Sequence, residues 1–173
     1  LADTNNDIGG LSLTTGNTIL NFGGAAAAAN PSAGIRIVDQ WSANASFNTI
    51  NNNNGSGVNH VSTLRAIITS GGTSASLNIN NNIISVQSGA TTSQLDAISN
   101  GAGSTAASNT ININNNSVAI GYPNVAAAGN TINGIINSSS ANTVNINSNT
   151  VSQIPAVNLA GTGTWIMIEG GSP

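Results

Sequence analysis

The stretch Ile111-Asn112-Ile113-Asn114-Asn115-Asn116 decides the fold. Apolar and polar residues alternate along it, which is the period-two pattern of a β-strand with one buried face. Similar stretches occur at residues 48–53, 77–82 and 144–149. The element is therefore an internal repeat, and repeats spaced by about 20–50 residues are typical of stacked, elongated architectures.

A second element, a short apolar run centred on isoleucine, recurs between the Asn-rich stretches. Its isoleucines are separated by 32, 31, 37 and 33 residues and are Ile35, Ile67, Ile98, Ile135 and Ile168. Turns rich in Gly, Ser, Ala and Thr separate the elements, and no segment has the pattern of a stable helix. Repeating strands without a crossover helix predict a β-solenoid. In such a fold each strand pairs in parallel with its copy in the next coil, about 4.8 Å away.

The whole chain, 1–173, is predicted to be one all-β solenoid segment. We expect about five coils of roughly 30–37 residues, with 1–22 as a partial or irregular first coil. The isoleucines of the apolar runs form one internal column, and a second column contains Ile50, Ile79, Ile113 and Ile146. Solenoid ends expose strand edges, and an apolar run lies close to the C-terminus. We therefore expect a piece of a longer repetitive protein, or ends that contact neighbouring chains.

The segments also resemble a known group of proteins. Gly34-Ile35-Arg36-Ile37, followed by Asn-x-Ile-x-Asn-Asn patterns, is similar to the coils of right-handed parallel β-helix proteins of the pectate-lyase-like superfamily. The composition, rich in Asn, Ser, Thr and Ala, resembles the β-strand-repeat surface proteins and adhesins of bacteria. The resemblance covers about residues 11–169 and implies a right-handed parallel β-helix. That fold hosts lyases, hydrolases, adhesins and inert stalks, so it does not determine function.

The scarcity of charge excludes several classes of function. The chain has two Lys+Arg, five Asp+Glu, one His and no Cys, and charged residues make up 4% of it. Two basic residues cannot neutralise a nucleic-acid backbone. No apolar run approaches the roughly 18 residues of a membrane span. With scattered acids and an isolated His60, we expect no catalytic, cofactor or metal site, and hence no enzyme.

The runs of asparagine predict a structural ladder. Asn tolerates the left-handed backbone of a sharp bend, and stacked Asn side chains can hydrogen-bond along the solenoid axis. Either the middle or the last Asn of each run can face inward, and the sequence leaves both possibilities open. The predicted ladder residues are Asn52, Asn81, Asn115, Asn53, Asn82, Asn116 and Asn149. A glycan-binding face of outward amides is the functional alternative.

Four further residues are predicted to have specific roles. Arg65 and Asp96 occupy the same place in successive coils, which predicts a cross-coil ion pair worth about 0.2–1 kcal/mol if exposed. Trp41 lies at a coil corner, and Tyr122 lies in the longest predicted loop, 117–130. We expect these two aromatic residues at exposed ligand contacts, where they can stack on a sugar ring.

These features favour a structural or adhesive segment of a secreted bacterial cell-surface protein, such as a stalk, adhesin or filament component. One alternative is a fragment of a polysaccharide lyase or glycoside hydrolase whose catalytic coils lie elsewhere. Another is a glycan-binding module. The expected partners are neighbouring coils or an adjacent protein that caps the ends, and surface glycans. Nucleic acid and membrane insertion are not expected.

Overall fold

Three parallel β-sheets wind around one core in the computed structural model, which describes residues 3–24, 30–53, 55–122, 131–154 and 164–170. The predicted all-β parallel solenoid is confirmed. It has about four coils rather than about five, because the five strands of each sheet span four coil-to-coil steps. A 3₁₀ turn at Ser56–Asn59 is the one helical element of the described ranges.

Every sheet has five strands, one from each successive passage of the chain. Sheet 1 contains β1 (Asn6–Gly9), β4 (Ser42–Ser46), β7 (Ser76–Asn80), β10 (Thr110–Asn114) and β13 (Thr143–Asn147). Sheet 2 contains β2 (Thr18–Leu20), β5 (Thr49–Asn51), β8 (Ile83–Gln87), β11 (Ser117–Gly121) and β14 (Thr150–Gln153). Sheet 3 contains β3 (Ser32–Val38), β6 (Leu64–Gly71), β9 (Leu95–Ala102), β12 (Thr131–Asn137) and β15 (Thr164–Glu169).

The isoleucine column predicted from the apolar runs is an inner column of sheet 3. Its members are register partners in consecutive strands: Ile35, Ile67, Ile98, Ile135 and Ile168. The first four are buried, whereas Ile168 is 47% exposed in the last strand of the sheet. Full burial of an isoleucine side chain contributes about 1.5–3 kcal/mol, so this column is a main source of stability.

The second predicted column is wrong at Ile50. Ile79 and Ile113 are register partners in sheet 1, but the next place in that column belongs to Ala45. Ile50 lies in sheet 2, where it pairs with Ile84. The sheet 1 strand of this coil reads Ser-Ala-Asn-Ala-Ser. Its two alanines occupy the inward positions that larger apolar residues occupy in the other coils. The strand therefore cannot be recognised from the isoleucine pattern.

Each coil contains three strands, not the two that the sequence predicts, because the Asn-rich stretch continues around a sharp corner into a separate strand. The corner residues between sheets 1 and 2 have positive φ angles of 55–60° and are Phe47, Asn81, Asn115 and Ser148. Asn adopts this left-handed conformation more readily than most other residues with a side chain. The corner reverses the side-chain direction, so the next residue points inward. The predicted partial first coil also contributes regular strands, β1 and β2.

Gly134, in β12, lies where a side chain has no room. A Cβ atom at this position would lie 2.3 Å from the main-chain oxygen of Met167 and 2.4 Å from Cγ1 of Val151. Gly134→Ala is therefore expected to lower the free energy of unfolding by about 1–3 kcal/mol, the usual cost of overpacking, as measured by urea denaturation. Gly101→Ala in β9 is the control, because its nearest contacts would be 3.6 Å away. Equal losses in the two variants would contradict the steric explanation.

Candidate functional site

A ladder of asparagines runs along the corner between sheets 1 and 2. Its members directly follow the corner residues and are Asn48, Asn82, Asn116 and Asn149. Oδ1 of Asn82 accepts hydrogen bonds from the main-chain N–H and the Nδ2 of Asn48, at 2.9 and 3.0 Å. Nδ2 of Asn82 donates to Oδ1 of Asn116 at 2.9 Å and to the carbonyl of Ala45 at 2.8 Å. Asn116 repeats this pattern one coil further.

The ladder explains why asparagine, rather than another polar residue, occupies these positions. An amide side chain has two N–H donors and an oxygen that can accept two hydrogen bonds. Asn82 and Asn116 are buried and use all four of these capacities. A buried polar group that lacks its partner costs about 1–3 kcal/mol. Aspartate would supply no donors, and serine is too short to reach both neighbouring coils.

Five of the predicted ladder residues divide into two kinds of position. Asn82, Asn116 and Asn149 belong to the ladder. Asn81 and Asn115 are the positive-φ corner residues, and their side chains are half-buried and exposed, respectively. In these coils the last Asn of each run therefore faces inward. The middle Asn makes the bend.

The prediction that Asn52 and Asn53 belong to the ladder is wrong. Asn48 holds that place in their coil, because the run that contains Asn52 and Asn53 lies at the end of a sheet 2 strand rather than a sheet 1 strand. Asn52 is buried, but it bonds to main chain rather than to another asparagine. Its Nδ2 donates to the carbonyl of Gln87 at 2.7 Å, and its Oδ1 accepts from the N–H of Gln87 at 2.8 Å. Asn53 is exposed. Similar runs of Asn therefore lie at different places in the coil: some between sheets 1 and 2, and this one after a strand of sheet 2.

Sequence reasoning missed a second buried polar column, which lies in sheet 3. Thr69, Asn100 and Asn137 are register partners and are buried. Thr69 donates its hydroxyl hydrogen bond to Oδ1 of Asn100, and Nδ2 of Asn100 donates to Oδ1 of Asn137 at 2.6 Å. Each of the two asparagines lies two residues after an aligned isoleucine, Ile98 or Ile135. That shared spacing is the signal that could have found them.

The outer surface of sheet 1 carries columns of uncharged amides. We call it the Asn face, and its residues are Asn44, Asn78, Asn80, Asn112, Asn114, Asn145 and Asn147. Nδ2 of Asn112 donates to Oδ1 of Asn78, and Nδ2 of Asn145 donates to Oδ1 of Asn112, both at 2.8 Å. Each such contact uses one donor and one acceptor, so the remaining capacity of the amides is available to water.

The structure brings Arg65 and Asp96 together across neighbouring coils. Nε of Arg65 lies 2.9 Å from Oδ2 of Asp96, and their side chains are 24% and 0% exposed. Oδ1 of Asp96 also accepts hydrogen bonds from Gln94 at 2.8 Å and Asn133 at 2.6 Å. The stabilisation of about 0.2–1 kcal/mol expected for an exposed ion pair does not apply here, because leaving a buried charge without its partner is far more costly.

The two aromatic residues predicted at ligand contacts differ in their placement. Trp41 is 47% exposed, but Tyr122 is 1% exposed and packs in the core, so the prediction for Tyr122 is wrong. Residues 117–121 form β11 instead of a loop, and Tyr122 directly follows this strand. An aromatic ring has a large apolar area to bury. The rest of the predicted loop, 123–130, lies outside the described residues.

His60 is buried beside the turn that follows β2. Its Nδ1 accepts a hydrogen bond from the main-chain N–H of Gly24 at 3.0 Å. Its Nε2 has no hydrogen-bond partner in the described part of the chain. Burial lowers the pKa of His60 from its usual 6.5 and outweighs the nearby main chain of Thr63, which acts in the opposite direction.

Acidification is expected to destabilise the protein through His60. Because the pKa of His60 is lower in the folded chain, the unfolded state binds more protons, and the free energy of unfolding rises with pH. Stability should fall as the pH decreases through about 6.5, measured by urea denaturation between about pH 7.5 and pH 5.5. His60→Gln removes the single histidine and should flatten this dependence. An unchanged pH profile in the variant would refute the assignment.

The ionisable side chains form no metal centre in the described ranges, where no three His, Asp or Glu residues come together in a suitable group. No helix in the described part of the chain is long and apolar enough to span a membrane.

Comparison with known proteins gives no match: no family model, no curated protein and no solved structure matches the chain. The fold and the ladder define the class of protein, a parallel β-solenoid with repeats and a buried asparagine ladder. The finer resemblance to pectate-lyase-like proteins and adhesins stays a prediction.

Proposed function

We propose that the chain is a non-catalytic structural segment of a secreted bacterial cell-surface protein, as part of a stalk, adhesin or filament. The observation that carries this proposal is the repetition of the same amide contacts from coil to coil. The Asn ladder inside and the Asn face outside both continue through several coils. Each coil of such a column makes the same contacts with its neighbours, so the column can be lengthened by adding coils, as a stalk requires.

The chemistry of the Asn face supports an extracellular role. Amide side chains do not titrate, so hydration of the Asn face does not change with pH, except beside Asp7, which pairs in register with Asn44 at the β1 end. They also carry no charge that salt could screen. The surface therefore keeps the same properties across variable external conditions.

The ends of the solenoid support the expected partners. Among the described strands, β1, β2 and β3 at one end and β13, β14 and β15 at the other each have a single neighbour. Met167 and Ile168 in β15 are also exposed. Open strand edges readily pair with further strands. Neighbouring coils of a parent chain, or an adjacent capping protein, are therefore included in the proposal.

The enzymatic alternative, a fragment of a β-helix lyase or hydrolase, needs carboxylates at the surface that can act together. Asp96 is fully buried and forms an ion pair with Arg65. Asp7 lies in β1 and Glu169 in β15, the first and last strands of the solenoid. Asp3 and Asp39, the remaining two of the five acids, are exposed and lie outside the strands. The burial of Asp96 and the separation of Asp7 from Glu169 favour the structural role.

The proposal is tested on intact cells of the organism of origin with an antibody raised against the chain. We expect the antigen on the cell surface, removed by external protease, in a polypeptide longer than 173 residues or in a filament of repeated copies. Detection only after lysis would overturn the cell-surface role. Release of unsaturated sugars from polygalacturonate by the purified chain would overturn the non-catalytic role.

A further inference from the structure

The two basic residues of the chain, Arg36 and Arg65, line the same groove. The groove has a volume of about 290 Å³ and is lined by Pro31, Ser32, Ala33, Arg36, Arg65 and Ile68. It lies on the outer surface of sheet 3, at the pair of strands β3 and β6. In this register Ala33 is opposite Arg65, and Arg36 is opposite Ile68. The arginines therefore stand diagonally across the strand pair.

Arg65 is held in a fixed position by buried groups. Its Nε is bound to the buried carboxylate of Asp96, which is in turn held by Gln94 and Asn133. Among the described residues, the two terminal Nη nitrogens of Arg65 have no hydrogen-bond partner. Four N–H groups of a pre-oriented guanidinium are thus available to a ligand in the groove.

Arg36 supplies a second cation from the neighbouring coil. Its side chain is exposed, and it forms no ion pair with any described residue. Two guanidinium groups and the Asp96 carboxylate give the groove a net charge of about +1, although the whole chain carries −3. Asp7 lines a neighbouring groove together with Arg36 but forms no ion pair with it. The groove is therefore a positive site on an otherwise acidic or neutral surface.

We propose that this groove binds the sulfate or phosphate ester of a sugar-sized ligand. A tetrahedral oxyanion presents three oxygens, so it can accept hydrogen bonds from guanidinium groups that belong to two different coils. Pro31 and Ile68 offer apolar surface to the body of the ligand, and the volume suits a single ring. This binding site stands apart from the structural role proposed above.

The test is a titration of the ¹⁵N-labelled chain, followed by NMR, with glucose 6-sulfate and glucose 6-phosphate in parallel. We expect saturable shifts of amides at 32–36 and 64–68, with the tighter ester identifying the natural headgroup. Glucose should give none of these shifts. Arg36→Met should weaken binding about tenfold or more, because a hydrogen bond to a charged group contributes at least that much.

A matched control separates a specific site from a general effect of charge. Arg36→Met combined with Thr110→Arg restores the net charge but places the new arginine on the outer surface of sheet 1. We expect binding to stay weak in this double variant. Restored binding, shifts scattered over the surface, or equal affinity of Arg36→Met and the original chain would overturn the proposal. Equal affinity for inorganic sulfate would mean an adventitious ion only and would also overturn it.

Discussion

Replacement of Asn82 by alanine is expected to lower the free energy of unfolding by about 2–6 kcal/mol. Removal of this amide leaves the main-chain N–H and one Nδ2 N–H of Asn48 without their acceptor and takes a hydrogen bond from the carbonyl of Ala45, in a corner where Asn82 is fully buried. Each unsatisfied buried group costs about 1–3 kcal/mol. The side chain of Asn116 loses a contact as well. Urea denaturation followed by circular dichroism measures the loss.

Asn78→Ala is the matched control for this prediction. Asn78 lies in the same coil, but on the Asn face, and its Oδ1 accepts one side-chain hydrogen bond, from Asn112. Water can replace that partner, so we expect a loss of less than about 0.5 kcal/mol, as for most surface substitutions. If the two variants were equally stable, the buried ladder would not be the feature that holds successive coils together.

The sequence predicts those parts of the fold that leave a periodic apolar signal. The column from Ile35 to Ile168 is correct across loops of different length, because every member is the same large apolar residue in register. The ladder residue Asn48 is hidden, because Phe47 holds the positive-φ corner where other coils have Asn or Ser. Tyr122 is misplaced, because alternation does not reveal where β11 ends relative to the core.

The candidate binding site is predictable only in part, for a related reason. The ion pair of Arg65 and Asp96 follows from their shared place in the repeat, which the strand register reproduces. Burial of Asp96 does not follow from it, since burial depends on what covers the strand and not on the strand itself. The groove with Arg36 is also hidden, because it depends on a diagonal relation between two strands whose register has to be known.

Removal of the arginine partner of Asp96 is expected to lower the free energy of unfolding by as much as the loss of a ladder residue does. Arg65→Met keeps much of the aliphatic stem but leaves the fully buried carboxylate without its cation. Breaking a buried ion pair in this way typically costs about 3–5 kcal/mol. The hydrogen bonds from Gln94 and Asn133 are neutral and compensate only partly. The measurement is again the free energy of unfolding in urea.

Two further variants show whether the buried charge is the cause. Addition of Asp96→Asn to Arg65→Met removes the charge and should recover most of the lost stability, which a double-mutant cycle would report as coupling between the two sites. Arg36→Met removes an exposed arginine that has no ion pair with a described residue, and it should change stability by less than about 0.5 kcal/mol. If both arginine variants lost the same amount, or if the double variant recovered nothing, Asp96 would not depend on Arg65. The buried group would then have no part in holding Arg65 toward the groove.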